Sequence, residues 1–167
     1  MNVSRRHLMA TGLAGIALPQ MAFAKNATEI TWDDLLPPGV PYSEIIGEGE
    51  MNEATENWRP IFDDTATKLN PALDGAYIKM PGYIIPFDAM IAGVTSFVLV
   101  PYVGACLHTP SPPANQVVFV KTKTPWSGDN LWDSVWVTGQ IQHAIQSNEI
   151  SDTGYEMVAD QMEVYEW

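Results

Sequence analysis

Tyr77-Ile78-Lys79-Met80-Pro81-Gly82-Tyr83-Ile84-Ile85-Pro86-Phe87 is a β-rich run broken at its centre by a proline and a glycine. Proline cannot donate to a strand ladder and glycine tolerates a sharp change of direction, so the run predicts one long strand bent at Pro81-Gly82. The turn signal Asp74-Gly75 stands just before it. Further along, residues 95–102, 117–121, 134–141 and about 154–165 read as strands, and a short helix is expected over 142–150. Five short strands, the first bent at a glycine, predict a mainly β fold: a small OB-like five-stranded barrel, with a β-sandwich as the alternative.

Working back from the bend, residues 71–167 form the barrel unit and 25–70 an acidic N-terminal extension. Trp32, Leu35 and Leu36 have the spacing of one helical turn, with Thr31 or Asp33 as cap, and Pro37-Pro38 stop it. Residues 39–56 are acidic and aperiodic, which predicts a loop. Trp58, Ile61, Phe62, Ala66 and Leu69 recur at intervals of three and four, which predicts a second short helix closed by Asn70-Pro71.

Residues 1–24 have the form of a secretory leader: Arg5-Arg6, an uncharged apolar run over 8–18, Pro19, and the small-residue site Ala22-Phe23-Ala24. The Ser4-Arg5-Arg6-His7-Leu8-Met9 opening points to twin-arginine export and hence to the periplasm. The apolar run is too short to span a bilayer, so no stable membrane insertion is expected once the leader is removed. Removal leaves Lys25, Arg59, Lys68, Lys79, Lys121 and Lys123 as the cations against 20 Asp and Glu. Such an acidic chain repels phosphate backbones and anionic membranes, which excludes nucleic acid as a partner class, and it attracts cations and basic partners.

The stretch 101–120, P-Y-V-G-A-C-L-H-T-P-S-P-P-A-N-Q-V-V-F-V, holds the single cysteine of the chain. Residues 95–102 are apolar on both faces and predict a strand buried on both sides. If the chain stays extended beyond it, Cys106 and His108 emerge on the same side. Pro110, Pro112 and Pro113 then stiffen the loop, and Asn115 and Gln116 supply amides that can fix an imidazole or loop carbonyls.

Three readings of Cys106 and His108 stay open. They are two ligands of a zinc or copper site that needs completion by His143, an acid such as Asp88 or a partner chain; a reactive thiol with its base; or a buried cysteine and hydrogen-bonded histidine that stabilise the loop. No phosphate-cradling glycine loop, His-Glu-x-x-His or Gly-x-Ser-x-Gly is present, and the sequence leans against an enzyme. Trp126, Trp132 and Trp136 are expected to cover barrel edges, and His143 to lie at the surface.

The blocks L-D-G-A-Y-I-K-M-P-G-Y-I-I-P-F, G-A-C-L-H-T-P-S-P-P-A-N-Q and V-W-V-T-G-Q-I, preceded by I-T-W-D-D-L-L-P, resemble the bacterial domain-of-unknown-function family 3299. The resemblance spans nearly the whole mature chain. It implies an exported protein with no assigned activity. Some relatives are encoded beside periplasmic metal-binding proteins and ABC-type transporter subunits in zinc-responsive clusters. The family pattern is matched by Cys106, His108, Pro110, Pro112, Pro113, Asn115 and Gln116, while Ser111 stands where a further proline is common. The expected role is a soluble periplasmic accessory or binding protein. It would take zinc or copper and work with an ABC-type transporter, act as a metal-free interaction module, or serve as a thiol enzyme.

Overall fold

A computed structural model describes residues 26–52, 57–87, 93–106, 109–127 and 134–165. After β1 (Thr28–Glu29), strands β2 (Ile45–Asn52) and β3 (Asn57–Phe62) form a separate hairpin, followed by β4 (Tyr77–Pro86), β5 (Val94–Val100), β6 (Val118–Trp126), β7 (Ser134–Ser147) and β8 (Asp152–Val164). The long strand β4 has two partners. Residues 77–83 pair with β7 and residues 83–86 with β5, so the handover falls beside the expected bend at Pro81-Gly82. A Cβ on Gly82 would lie 2.7 Å from Leu99 Cγ and 2.9 Å from Trp32 Cζ2, so close packing inside the bend requires glycine here.

The strands run β4-β5-β6-β8-β7 and return to β4. The β6–β8 pair is parallel and the other four contacts are antiparallel. This is a closed five-stranded barrel with OB connectivity, and the sandwich alternative does not hold because the sheet meets itself. β1 adds to the first half of β4 in parallel register. Among the described residues no helix is long and apolar enough to cross a membrane.

Two apolar layers share β5. Phe97 and Leu99 face the barrel interior with Ile78, Met80, Ile84, Val120 and Met157. Val98 and Val100 face outward and pack with Ile85, Ala105, Cys106 and Val117. The strand is therefore buried on both sides, as its composition predicted. Each such Val, Leu or Phe side chain contributes roughly 1.5–3 kcal/mol through removal from water. The cover over the outer layer is the loop that follows β5, and this is what gives that loop a fixed position.

Several local expectations are corrected. The stretch read as a loop contains β2, and the helix expected over 58–69 is instead the end of β3 followed by one 3-10 turn, Asp64–Thr67. The helix expected over 142–150 is the continuation of β7 through Ser147, with an irregular register between His143 and Gln146. The turn after Trp32 exists as a 3-10 helix, Asp33–Leu35. Neither expected cap holds it; the Asp34 carboxylate reaches back to accept from the Thr31 amide at 2.7 Å and its hydroxyl at 2.9 Å.

Candidate functional site

Beyond β5 the chain does not stay extended. It turns at Tyr102-Val103-Gly104, and Cys106 has φ 64°, in the left-handed region. A side chain there costs on the order of 1 kcal/mol or more and persists because surrounding contacts enforce it. The extended path assumed as far as Cys106 is thus absent. His108 lies outside the described residues, as do Arg5, Arg6, Ala22, Ala24, Asp88 and Trp132.

Cys106 is 1% exposed, beneath a junction of three segments. The proline loop supplies Ser111, whose amide donates to the Trp58 carbonyl of β3 at 3.2 Å. The β7–β8 turn supplies Ser151, fully buried, and β3 supplies Arg59. Burial pushes the Cys106 thiol above its ordinary value of 9.0, while side-chain hydrogen bonds with Ser111 and Ser151 and the charge of Arg59 oppose the rise without cancelling it. The thiol is therefore protonated at neutral pH, unlike an activated nucleophile.

Arg59 clamps the junction. Its Nη1 donates to Ser147 Oγ at 3.2 Å, Nη2 donates to the Asn148 carbonyl, and Asp152 lies 3.7 Å away. A cavity of about 320 Å³ beside it is lined by Arg59, Asp63, Ser111, Ser147, Ser151 and Asp152, among others. Sequence reasoning missed Arg59, Ser111 and Ser151, because three segments far apart in the chain converge only after the barrel closes.

Zinc and copper bind thiolate together with imidazole or carboxylate. Among the described residues no group of three or more His, Cys, Asp and Glu is placed to hold a metal. The hydroxyls of Ser111 and Ser151 hydrogen-bond the Cys106 thiol, and the charge of Arg59 acts on it. His143 is occupied elsewhere: its Nε2 donates to the Asn70 carbonyl at 2.9 Å and its amide donates to Asp74 Oδ1 at 3.0 Å. It is half-buried against the Tyr155 ring rather than at the surface.

The loop-support residues do come together. Asn115 and Gln116 are buried, with their amides on loop carbonyls as one of the two expected uses required. Asn115 Nδ2 donates to Thr65 O at 2.8 Å and Lys68 O at 3.2 Å, and Gln116 Nε2 donates to Trp32 O at 3.1 Å. They tie the N-terminal extension to the barrel. Pro112 is buried, while Pro110 and Pro113 are half-buried. Together with Trp32, Tyr42, Ile45, Phe62 and Tyr102 these prolines line a groove of about 390 Å³. Tyr42 is 51% exposed, Ile45 53% and Tyr102 44%, so the groove opens to solvent. Of the tryptophans expected at edges, Trp126 packs partly buried against the barrel core, and Trp136 stacks edge-on with Tyr165 and under Lys79.

Residues 32–164 match the family model described as protein of unknown function (DUF3299). The chain belongs to the DUF3299 family. A crystal structure of a DUF3299 family protein from Pseudomonas aeruginosa PAO1 is 34% identical and superposes with a TM-score of 0.67, over 85% of this chain and 98% of that one. No curated protein matches the chain. The matched residues span the groove, the Cys106 junction and the whole barrel of this DUF3299 protein.

Proposed function

We propose that this DUF3299 protein is an exported periplasmic accessory protein, sent by its twin-arginine-type leader, that docks an apolar segment of another envelope protein in the groove beside the proline loop. The partner class that the family resemblance suggests is an ABC-type transporter or its metal-binding component. The supporting observation is the groove itself: exposed Tyr42, Ile45 and Tyr102 lie beside prolines whose segment is anchored by the buried amides of Asn115 and Gln116. Large apolar side chains gathered at one rigid, solvent-open site are the usual mark of a binding surface. On this reading Cys106 serves the loop and carries neither metal nor catalysis.

A photo-crosslinking side chain placed at Tyr102 and, separately, at Ile45 tests the reading in the native envelope, with the exposed Val158 on β8 as control. Both groove positions should give an adduct with the same identified protein, the Val158 position should not, and Tyr42→Ala should remove it. Equal labelling from all three positions would sink the proposal. About one equivalent of zinc or copper in protein purified from its own periplasm, lost in Cys106→Ser, would restore the metal reading.

A further inference from the structure

We infer that the groove takes a cationic segment: an apolar stretch flanked by lysine or arginine. This rests on the docking reading above and adds the sign and chemistry of the occupant.

Charge is segregated over the molecule. The described cations are all engaged in ion pairs, three of them on the barrel: Lys79 with Glu163 at 2.7 Å, Lys121 with Glu156 at 2.8 Å, and Lys123 with Asp160, all three acids belonging to β8. Lys68 pairs with Asp64 at 3.4 Å and Arg59 with Asp152 at 3.7 Å. The groove wall is different. Asp33 accepts from the hydroxyl of the groove-lining Tyr42, with Asp34 next to it in sequence; Glu44 precedes the lining Ile45, and Asp63, which follows the lining Phe62, itself faces the neighbouring cavity over the Cys106 junction.

These four carboxylates have no ion-pair partner among the described residues. Their hydrogen bonds come from neutral groups: Asp33 from the Tyr42 hydroxyl, Asp34 from Thr31, and Asp63 from Thr65 and the Glu44 amide. Bonds from Thr65 hold the Asp63 carboxyl below its ordinary range, with a smaller contribution from Lys68, so it stays ionised. Unpaired negative charge, nearest at Asp33, therefore borders the groove lined by Trp32, Tyr42, Phe62 and Tyr102. Aromatic faces attract cations in their own right, and the quadrupoles of these rings act in the same sense as the carboxylates. An acidic or phosphorylated segment would meet repulsion from both.

The test uses three labelled peptides that share a leucine-phenylalanine core and differ only in lysine, serine or glutamate flanks, titrated against the purified protein by fluorescence anisotropy. The lysine peptide should bind at least about tenfold tighter than the glutamate peptide at about 50 mM salt, with most of the difference lost at about 500 mM. Glu44→Lys, whose side chain makes no described hydrogen bond, should weaken the lysine peptide alone. Tyr102→Ala should weaken the lysine and serine peptides together, and thermal melting confirms that both variants fold. Equal affinity for all three peptides, still lost in Tyr102→Ala, would overturn the charge inference and leave the groove reading standing. Lysine-peptide binding unchanged by Tyr102→Ala would overturn it by placing the contact elsewhere. Failure of all three peptides to bind would overturn both.

Discussion

The hydroxyl of Tyr155 donates to the carbonyl of Leu35 at 2.6 Å, joining the centre of the barrel to the first turn of the N-terminal extension. The same oxygen accepts from the Asn70 amide at 2.7 Å. Tyr155→Phe keeps the ring and deletes both bonds, leaving the Asn70 amide and the Leu35 carbonyl only their mutual bond at 3.2 Å. The expected cost is about 0.5–1.5 kcal/mol, seen as a lower urea midpoint with an unchanged slope.

Asn115→Asp replaces an amide that donates to two carbonyls with a carboxylate that can only accept. The buried position gives the new charge no cation, and the expected loss is about 3 kcal/mol or more. Hydrogen exchange should locate the damage at the Asp64–Thr67 turn before it reaches the barrel strands.

Gly82→Ala forces a methyl group against Leu99 and Trp32 at the inside of the β4 bend. Overpacking of this kind costs about 1–3 kcal/mol. Because Trp32 also lines the groove, the variant should lose affinity for a groove occupant as well as stability.

Arg59→Gln removes the clamp between the β2–β3 hairpin and the β7–β8 turn. Its ion pair is largely solvent-exposed on the Asp152 side, so global stability should fall by only about 1 kcal/mol. Limited proteolysis should instead show faster cleavage within residues 45–62, since an isolated two-stranded hairpin is marginal without packing. Unchanged cleavage would show that the Ser111–Trp58 hydrogen bond suffices to hold it.

Stability should fall on the alkaline side. Burial raises Cys106 above 9.0, and raises Tyr155 from 10.0 to about 12. Tyr42, beside Asp33, is also raised to about 12, by burial first and then by its bond to the carboxylate. The folded chain keeps protons that the unfolded chain releases, so their contribution is complete below the ordinary values and declines as pH rises through the folded ones. Urea midpoints measured from about pH 8 to about pH 11 should drop, and less steeply in Tyr155→Phe.

The barrel was legible because its signals are local. A proline-glycine pair inside a β run announces a bend, and a strand apolar on both faces announces two layers. The hairpin was hidden, because Gly47 and Gly49 fall at register irregularities that break the alternation of β2, and Ile45, Ile46 and Met51 are exposed rather than paired with a core. The end of β7 misled for a related reason: Ile145 is exposed, and an irregular register between His143 and Gln146 breaks the strand pattern. At the site, Asn115 and Gln116 could be read as anchors of loop carbonyls. The left-handed turn at Cys106 could not, since such a backbone normally advertises itself with glycine.

The sealed position of Cys106 also equips the molecule with a gauge of its own breathing. A thiol reagent reaches this sulfur only when the proline loop lifts from β3 and the β7–β8 turn, so the rate of labelling in the native protein counts those excursions. Ser111 and Pro112 line both the cavity over the junction and the groove, and an occupant resting on them would slow the clock.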